Sequence, residues 1–235
     1  MASKLNPQHN QLPAFQATAK PAKLRASATQ IKFSAATPPD QQISTTSKPK
    51  LAPEPLTVEF KTLGACKLGI SRYPDFTYNA EKGRGDGLAT VTENENVSVS
   101  FDPRTLYIPP LTSATTKFLG LPLPPFLKID IVPELLQGNI NRQSGKVELE
   151  FKAKFLFTAG GFYRAPPLLV AALLTSEESV GQLRGGRGER LNEQGACKLV
   201  GVATVDAVDD LFMDTFLSLP TECLASLNAS ICFTS

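Results

Sequence analysis

Catalytic chemistry in this 235-residue chain would have to proceed almost without histidine. The single histidine, His9, lies in the leading segment, and no imidazole follows from residue 51 onward. This excludes Ser-His-Asp and Cys-His nucleophilic machinery and histidine metal sites from the main part of the chain. An enzyme would need a perturbed carboxylate, cysteine or lysine, and no pair of these stands at a diagnostic spacing. We therefore expect a protein that is not an enzyme and that uses no cofactor or metal.

The cysteines also lack the spacing of a known reactive site. None of the four forms a Cys-x-x-Cys pair, which argues against a zinc ribbon or a thioredoxin-type centre; they are Cys66, Cys197, Cys223 and Cys232. Free cysteine behaves as a small hydrophobic residue, so we expect buried free thiols. A disulfide or a redox-responsive pair is the alternative.

A glycine-rich stretch, residues 181–190, carries Arg184, Arg187 and Arg190. Backbone N–H groups in such loops can cradle phosphate, and arginine can clamp it. No Gly-Lys-Ser/Thr follows, so the stretch is not a nucleotide P-loop. It is predicted to be a solvated hairpin, and its three arginines are candidate anion contacts.

Acidic side chains cluster between residues 206 and 214, but not at the spacing of a calcium-binding loop. Carboxylates at a helix N-terminus interact favourably with the helix dipole, which suits Asp209 and Asp210. Apolar residues then recur at helical spacing up to Leu219, and Pro220 follows. The pattern predicts one short C-terminal helix.

Residues 118–127 place large apolar groups among Pro122, Pro124 and Pro125. Proline cannot donate to a sheet ladder, so this segment cannot form a central strand. Each large apolar side chain left in water instead of buried costs about 1.5–3 kcal/mol. We expect part of the segment to stay exposed and to contact a membrane or a partner, with Lys117 and Lys128 meeting anionic head groups. The candidate contact residues are Phe118, Leu119, Leu121, Leu123, Phe126 and Leu127.

The elements that must position these residues are mostly strands. Residues 146–157 place apolar side chains at every second position and charged ones between them up to Lys154, as in a strand with one buried face, and residues 135–141 are its predicted hairpin partner. Residues 168–174 are predicted to be a strand buried on both faces, and residues 81–87 a flexible hairpin loop. Glycine-punctuated strands throughout predict a mainly β fold, an antiparallel β-sandwich or small barrel with that one helix. We expect a single β-rich domain over residues 56–235.

The leading segment differs in composition from the rest. Residues 1–50 hold seven of the 24 basic side chains and one of the 22 acidic ones, so residues 51–235 carry a net charge of −4. A mildly acidic domain without a basic stripe is a poor nucleic-acid binder, and we expect no such partner. Met1-Ala2-Ser3 and the Ser-, Thr- and Lys-rich, acid-poor run behind it resemble the leaders of plant chloroplast-targeted precursors. The resemblance implies that residues 1–50 are a disordered transit peptide and linker. It places the mature protein in the chloroplast, in the stroma or on the stromal face of the thylakoid membrane.

Three functions remain open at this stage. The protein could be an assembly or scaffold factor at a plastid membrane surface or membrane-protein complex. It could instead carry a lipid, isoprenoid or pigment as an apolar ligand inside the β-structure, because a small barrel can enclose one. A histidine-free enzyme is the third. A continuous apolar cavity would favour the carrier, and a filled core would favour the scaffold.

Overall fold

A computed structural model describes residues 56–92 and 95–234, so the predicted leader, residues 1–50, lies outside the described residues. The first half of the described chain contains β1 (Leu56–Thr62), β2 (Cys66–Ile70), β3 (Phe76–Tyr78), β4 (Arg84–Val91), β5 (Asn96–Phe101), β6 (Thr116–Phe118), β7 (Leu121–Pro122) and β8 (Leu127–Asn141). The second half contains β9 (Val147–Ala159), β10 (Tyr163–Arg164), β11 (Leu168–Thr175), β12 (Glu178–Val180), β13 (Gly185–Arg187), β14 (Ala196–Val205), α1 (Leu211–Leu217) and β15 (Thr221–Thr234).

Eight of these strands close into an antiparallel barrel. Their order is β1, β4, β5, β8, β9, β11, β14 and β15, and β15 pairs back onto β1. The closing pair runs from Thr57 opposite Thr234 to Thr62 opposite Ala229. The predicted mainly β antiparallel fold is confirmed, and this closing pair gives it the form of a barrel.

The barrel has a side branch because β15 is longer than its partner β1. The second half of β15 pairs with β1, while its first half pairs with β2, with Cys223 opposite Ile70. Strands β3, β6 and β7 then follow β2 in that order. Buried Cys66, Tyr78 and Leu123 form a small core under this branch.

The alternating strand predicted at residues 146–157 is confirmed as β9, paired with β8. Val147, Leu149 and Ala153 are buried inside the barrel, and Phe151 packs partly buried against the same core. On the outer face, Lys152 forms an ion pair with Glu150 at 2.8 Å. The predicted hairpin partner, residues 135–141, forms the second half of β8, which begins at Leu127 and continues to Asn141 past an irregularity between Pro133 and Leu135.

Two local predictions are wrong. Strand β11 is not buried on both faces, because the wall of a closed barrel has one inner and one outer face. Leu168 and Leu174 point into the core, whereas Leu169 and Leu173 are exposed. Most of the predicted loop at residues 81–87 belongs to β4, where glycine permits close strand packing: a Cβ at Gly87 would lie 2.5 Å from the carbonyl oxygen of Ser100.

Helix α1 is confirmed close to its predicted position. Asp210 is its N-cap, and its side chain accepts a hydrogen bond from the backbone N–H of Met213 at 2.9 Å. Met213 and Leu217 are buried against Phe157, Leu168 and Val205. The helix therefore covers one end of the barrel.

Candidate functional site

Several turns and loops between strands lie at the end of the barrel that α1 covers. Ile70 at the end of β2 lies opposite Cys223 near the start of β15, and Ala159 at the end of β9 lies opposite Leu127 at the start of β8. The β6–β7 turn and the loop before β3 meet there as well, since Phe118 pairs with Phe76. Eight exposed large side chains lie on these segments, and we call them the apolar end: Tyr73, Leu119, Leu121, Phe126, Phe162, Leu211, Phe212 and Phe216.

Aromatic contacts join three residues of the apolar end, Tyr73, Phe212 and Phe216, to the core. Phe212 and Phe216 stack one turn apart on α1, with ring centroids 5.6 Å apart. Phe212 contacts Tyr163 at 5.2 Å, and Phe216 contacts both Tyr73 at 6.2 Å and the buried Phe157 at 6.4 Å. These ring contacts hold the exposed aromatic side chains in defined positions.

Hydrogen bonds fix the same segments. The Tyr73 hydroxyl donates to the carbonyl oxygen of Phe216 at 2.7 Å, and the Tyr163 hydroxyl donates to the Asp210 carboxylate at 3.0 Å. Desolvation and this hydrogen bond raise the pKa of Tyr163 to about 12, so the hydroxyl remains a donor at neutral pH. The N-cap of α1 is thereby tied to β10.

Helix α1 is apolar on two faces. Met213 and Leu217 face the barrel interior, whereas Leu211, Phe212 and Phe216 are 84%, 55% and 43% exposed. A helix that is apolar nearly all round is normally covered on every side. Its outer face therefore indicates a surface that another apolar body covers.

The structure divides the candidate segment 118–127. Leu119, Leu121 and Phe126 are 69%, 71% and 56% exposed. Leu123 is buried, and Phe118 and Leu127 pack partly buried against the core of the side branch. Pro122 lies in β7, an edge strand, where a missing N–H costs no ladder bond. Half of the predicted contact set thus belongs to the surface and half to the core.

The other members of the apolar end were not predicted as contact residues from the sequence. Phe162 follows the Gly160–Gly161 turn and is 79% exposed, beside Phe126 at 6.4 Å between ring centroids. A large aromatic side chain directly after a glycine turn was a usable signal. The helical spacing of Phe212 and Phe216 predicts the helix, but it does not reveal which face of the helix is buried.

Two of the three candidate anion contacts, Arg184 and Arg190, bond to acceptors within the protein. Arg184 donates from Nε to the carbonyl oxygen of Ser71 at 2.7 Å, and its Nη1 forms an ion pair with Asp75 at 2.7 Å. Arg190 pairs with Glu177 at 2.6 Å, and Arg187 is exposed on β13. Because two of the three guanidinium groups bond to protein acceptors, the geometry weakens the hypothesis of an anion site.

A carboxylate holds the β12–β13 hairpin, which carries Arg184, against the barrel. Glu222 accepts hydrogen bonds from the backbone N–H groups of Gln182 and Leu183, both at 2.7 Å, and of Arg184 at 3.0 Å. These bonds lower the pKa of the Glu222 carboxyl below its usual range. The hairpin is therefore fixed at the same end of the barrel as α1.

The four cysteines are free thiols. Burial raises the pKa of Cys197 to about 12 and that of Cys223 to about 11, and it also raises the pKa of Cys66. A protonated thiol is a poor nucleophile and a poor metal ligand. Among the residues that the structure describes, no group of three or more His, Cys, Asp or Glu side chains could hold a metal ion.

Buried side chains from all eight barrel strands pack into one core cluster. The enclosed apolar space beside Phe60, Leu136 and Phe151 has a volume of about 40 Å³, whereas small-molecule sites usually span about 300–1,000 Å³. A larger open groove of about 340 Å³ lies at Glu189, Arg190 and Lys198, and its charged lining does not suit an apolar ligand.

Within residues 56–92 and 95–234, no helix is both long and apolar enough to cross a bilayer.

No family model matches this chain, and comparisons with curated proteins and with solved structures found no match either. The functional interpretation therefore rests on the geometry of the chain itself.

Proposed function

We propose that this is a non-enzymatic plastid protein, an assembly or scaffold factor that docks on a plastid membrane surface through its apolar end. The observation that carries the proposal is the grouping of eight exposed Leu, Phe and Tyr side chains at one end of a filled barrel. Withdrawing half of one such side chain from water is worth about 1 kcal/mol. Several together could hold the protein at an interface, and aromatic rings suit the boundary between lipid and water.

The position of these side chains favours an extended surface over a small ligand. They project from turns and from the outer face of α1, not into a shared cavity. The exposed fractions of Phe162 and Leu211, 79% and 84%, are the largest of the set. Such protruding groups can enter the head-group region of a bilayer or an apolar groove on a membrane-protein complex.

The carrier alternative receives less support. An enclosed space of about 40 Å³ is too small for a lipid, isoprenoid or pigment without rearrangement of the core. The enzyme alternative has no activated cysteine among Cys66, Cys197 and Cys223, whose pKa values are all raised.

Vesicle flotation tests the docking proposal. We expect the unmodified domain to float with phospholipid vesicles and the double variant Phe162→Ser, Leu211→Ser to stay at the bottom of the gradient. The matched control is Leu88→Ser, Leu169→Ser, since these side chains are similarly apolar and 61% and 62% exposed but lie on the barrel wall. The control should float like the unmodified domain, and both variants should keep its melting temperature. Failure of the unmodified domain to float, or equal loss in both variants, would refute the proposal.

The plastid location rests on the composition of residues 1–50. A fluorescent reporter fused behind these residues is expected to enter chloroplasts. The same reporter behind a leader with Lys4, Lys20, Lys23 and Arg25 changed to Glu should remain in the cytosol. A cytosolic signal from the unmodified fusion would contradict the location.

A further inference from the structure

Charged residues around the apolar end determine which membrane it suits. Over the described residues, seven carboxylates lie on the loops and strand ends that carry the apolar end: Asp75, Asp130, Asp206, Asp209, Asp210, Asp214 and Glu222. The basic side chains on the same segments number five, Arg72, Lys117, Lys128, Arg164 and Arg184. The apolar end therefore carries a net charge of about −2.

The basic side chains cannot supply a strong anion contact. The Lys128 amino group, expected from the sequence to meet head groups, forms an ion pair with Asp130 at 2.8 Å. The Arg184 guanidinium bonds to Asp75 and to the carbonyl oxygens of Ile70 and Ser71. Arg72, Lys117 and Arg164 are exposed, but they lie on three separate segments and form no basic cluster.

The acidic side chains are concentrated beside the most exposed part of the surface. Asp206 and Asp209 are exposed in the loop before α1, and Asp210 and Asp214 lie at the N-cap and within the helix. Leu211, the most exposed side chain of the apolar end, directly follows the N-cap. If Leu211 enters a bilayer, these carboxylates come within a Debye length, about 8–10 Å, of the lipid head groups.

From this charge pattern we infer that the apolar end docks on a membrane surface whose lipid head groups carry no net charge. The inference rests on the proposed docking function and specifies its lipid partner. Apolar insertion supplies the affinity, and an anionic surface opposes it. At a surface potential of about −30 mV, two net negative charges weaken binding about tenfold, or about 1.4 kcal/mol.

Binding to two kinds of vesicle tests the inference. The domain of residues 56–235 is titrated with phosphatidylcholine vesicles. It is also titrated with vesicles that contain enough phosphatidylglycerol to reach a surface potential of about −30 mV. We expect binding about tenfold weaker to the anionic vesicles at low salt, and a smaller difference at 0.5 M salt because the repulsion is screened. Binding to phosphatidylcholine alone should hardly change with salt.

A charge variant separates this effect from general surface charge. Asp206→Asn with Asp209→Asn brings the apolar end to about zero net charge and should remove the discrimination while leaving phosphatidylcholine binding unchanged. The matched control, Glu95→Gln with Glu193→Gln, changes two exposed carboxylates in turns at the opposite end of the barrel and should keep the tenfold difference. Tighter binding to anionic vesicles, or equal effects of both variants, would overturn the inference and leave docking itself intact. Binding to neither kind of vesicle would overturn docking.

Discussion

Leu121 and Leu123, which are separated by one residue, provide the sharpest test of which side chains are exposed and which are buried. Leu121 is 71% exposed in the edge strand β7, whereas Leu123, two residues later, is only 7% exposed and packs among Cys66, Tyr78 and Leu111. The same substitution, leucine to alanine, therefore removes a surface group at one position and a core group at the other.

The expected losses differ several-fold. Leu123→Ala removes buried methyl groups and leaves a cavity, at a cost of about 3 kcal/mol within the usual 2–5 kcal/mol range. In a domain of this size that corresponds to a fall in melting temperature of about 6–12 °C. Leu121→Ala should cost under about 0.5 kcal/mol, as at ordinary surface sites.

Membrane binding should show the reverse order. Leu121→Ala makes the free energy of transfer from water into the bilayer less favourable by about 1 kcal/mol. Vesicle affinity is therefore expected to fall about fivefold. Leu123→Ala, measured well below its melting temperature, should bind vesicles like the unmodified domain. The two assays are thermal unfolding followed by circular dichroism and vesicle flotation at increasing lipid concentration.

Two outcomes would refute this reasoning. If Leu121→Ala lowers the melting temperature as much as Leu123→Ala, Leu121 is buried as Leu123 is and does not lie at the surface. If Leu121→Ala leaves vesicle binding unchanged while the unmodified domain floats, the β6–β7 turn is not part of the contact surface.

Two further predictions concern titration and thiol reactivity. The lowered pKa of Glu222 adds stability above the unfolded pKa of about 4.3, which is lost as the pH falls through the lower folded value. The melting temperature should therefore decrease on acidification through that window, and less so in Glu222→Gln; an identical profile in the variant would exclude this role. In the native protein at pH 8, iodoacetamide should label exposed Cys232 quickly and Cys197 and Cys223 slowly, because burial raises the pKa of the latter two. Mass spectrometry of the labelled peptides measures the order, and equally fast labelling would contradict the burial.

The local elements could be predicted because their signals are local. The alternation at residues 146–157 predicted β9 since side chains on a strand change sides at every residue. Asp210 and the helical spacing of the apolar residues that follow it predicted α1. This prediction was possible because the N-cap and the periodicity both lie within one short stretch of sequence. The near absence of histidine excluded whole classes of chemistry without any structure.

The surface assignments failed where burial depends on distant parts of the chain. Leu169 and Leu173 lie in a uniformly apolar run, yet they face outward because no element of the described residues covers that part of the barrel wall. Leu121 and Leu123 look equivalent in the sequence, and only the packing of Leu123 against Cys66, Tyr78 and Leu111 separates them. Local composition cannot supply this information, since a neighbour may come from anywhere in the chain.

The sequence by itself therefore determined the strand and helix types, the charge balance and the absence of imidazole chemistry from the main domain. The tertiary structure decided that the sheet closes, through pairs such as Thr57 with Thr234, and that Tyr73 meets Phe216 at one end. The hydrophobic effect is non-directional, so the apolar residues of a sequence do not specify which distant residues will contact one another. The apolar end exists only because the closed barrel brings the separate turns that carry its residues together.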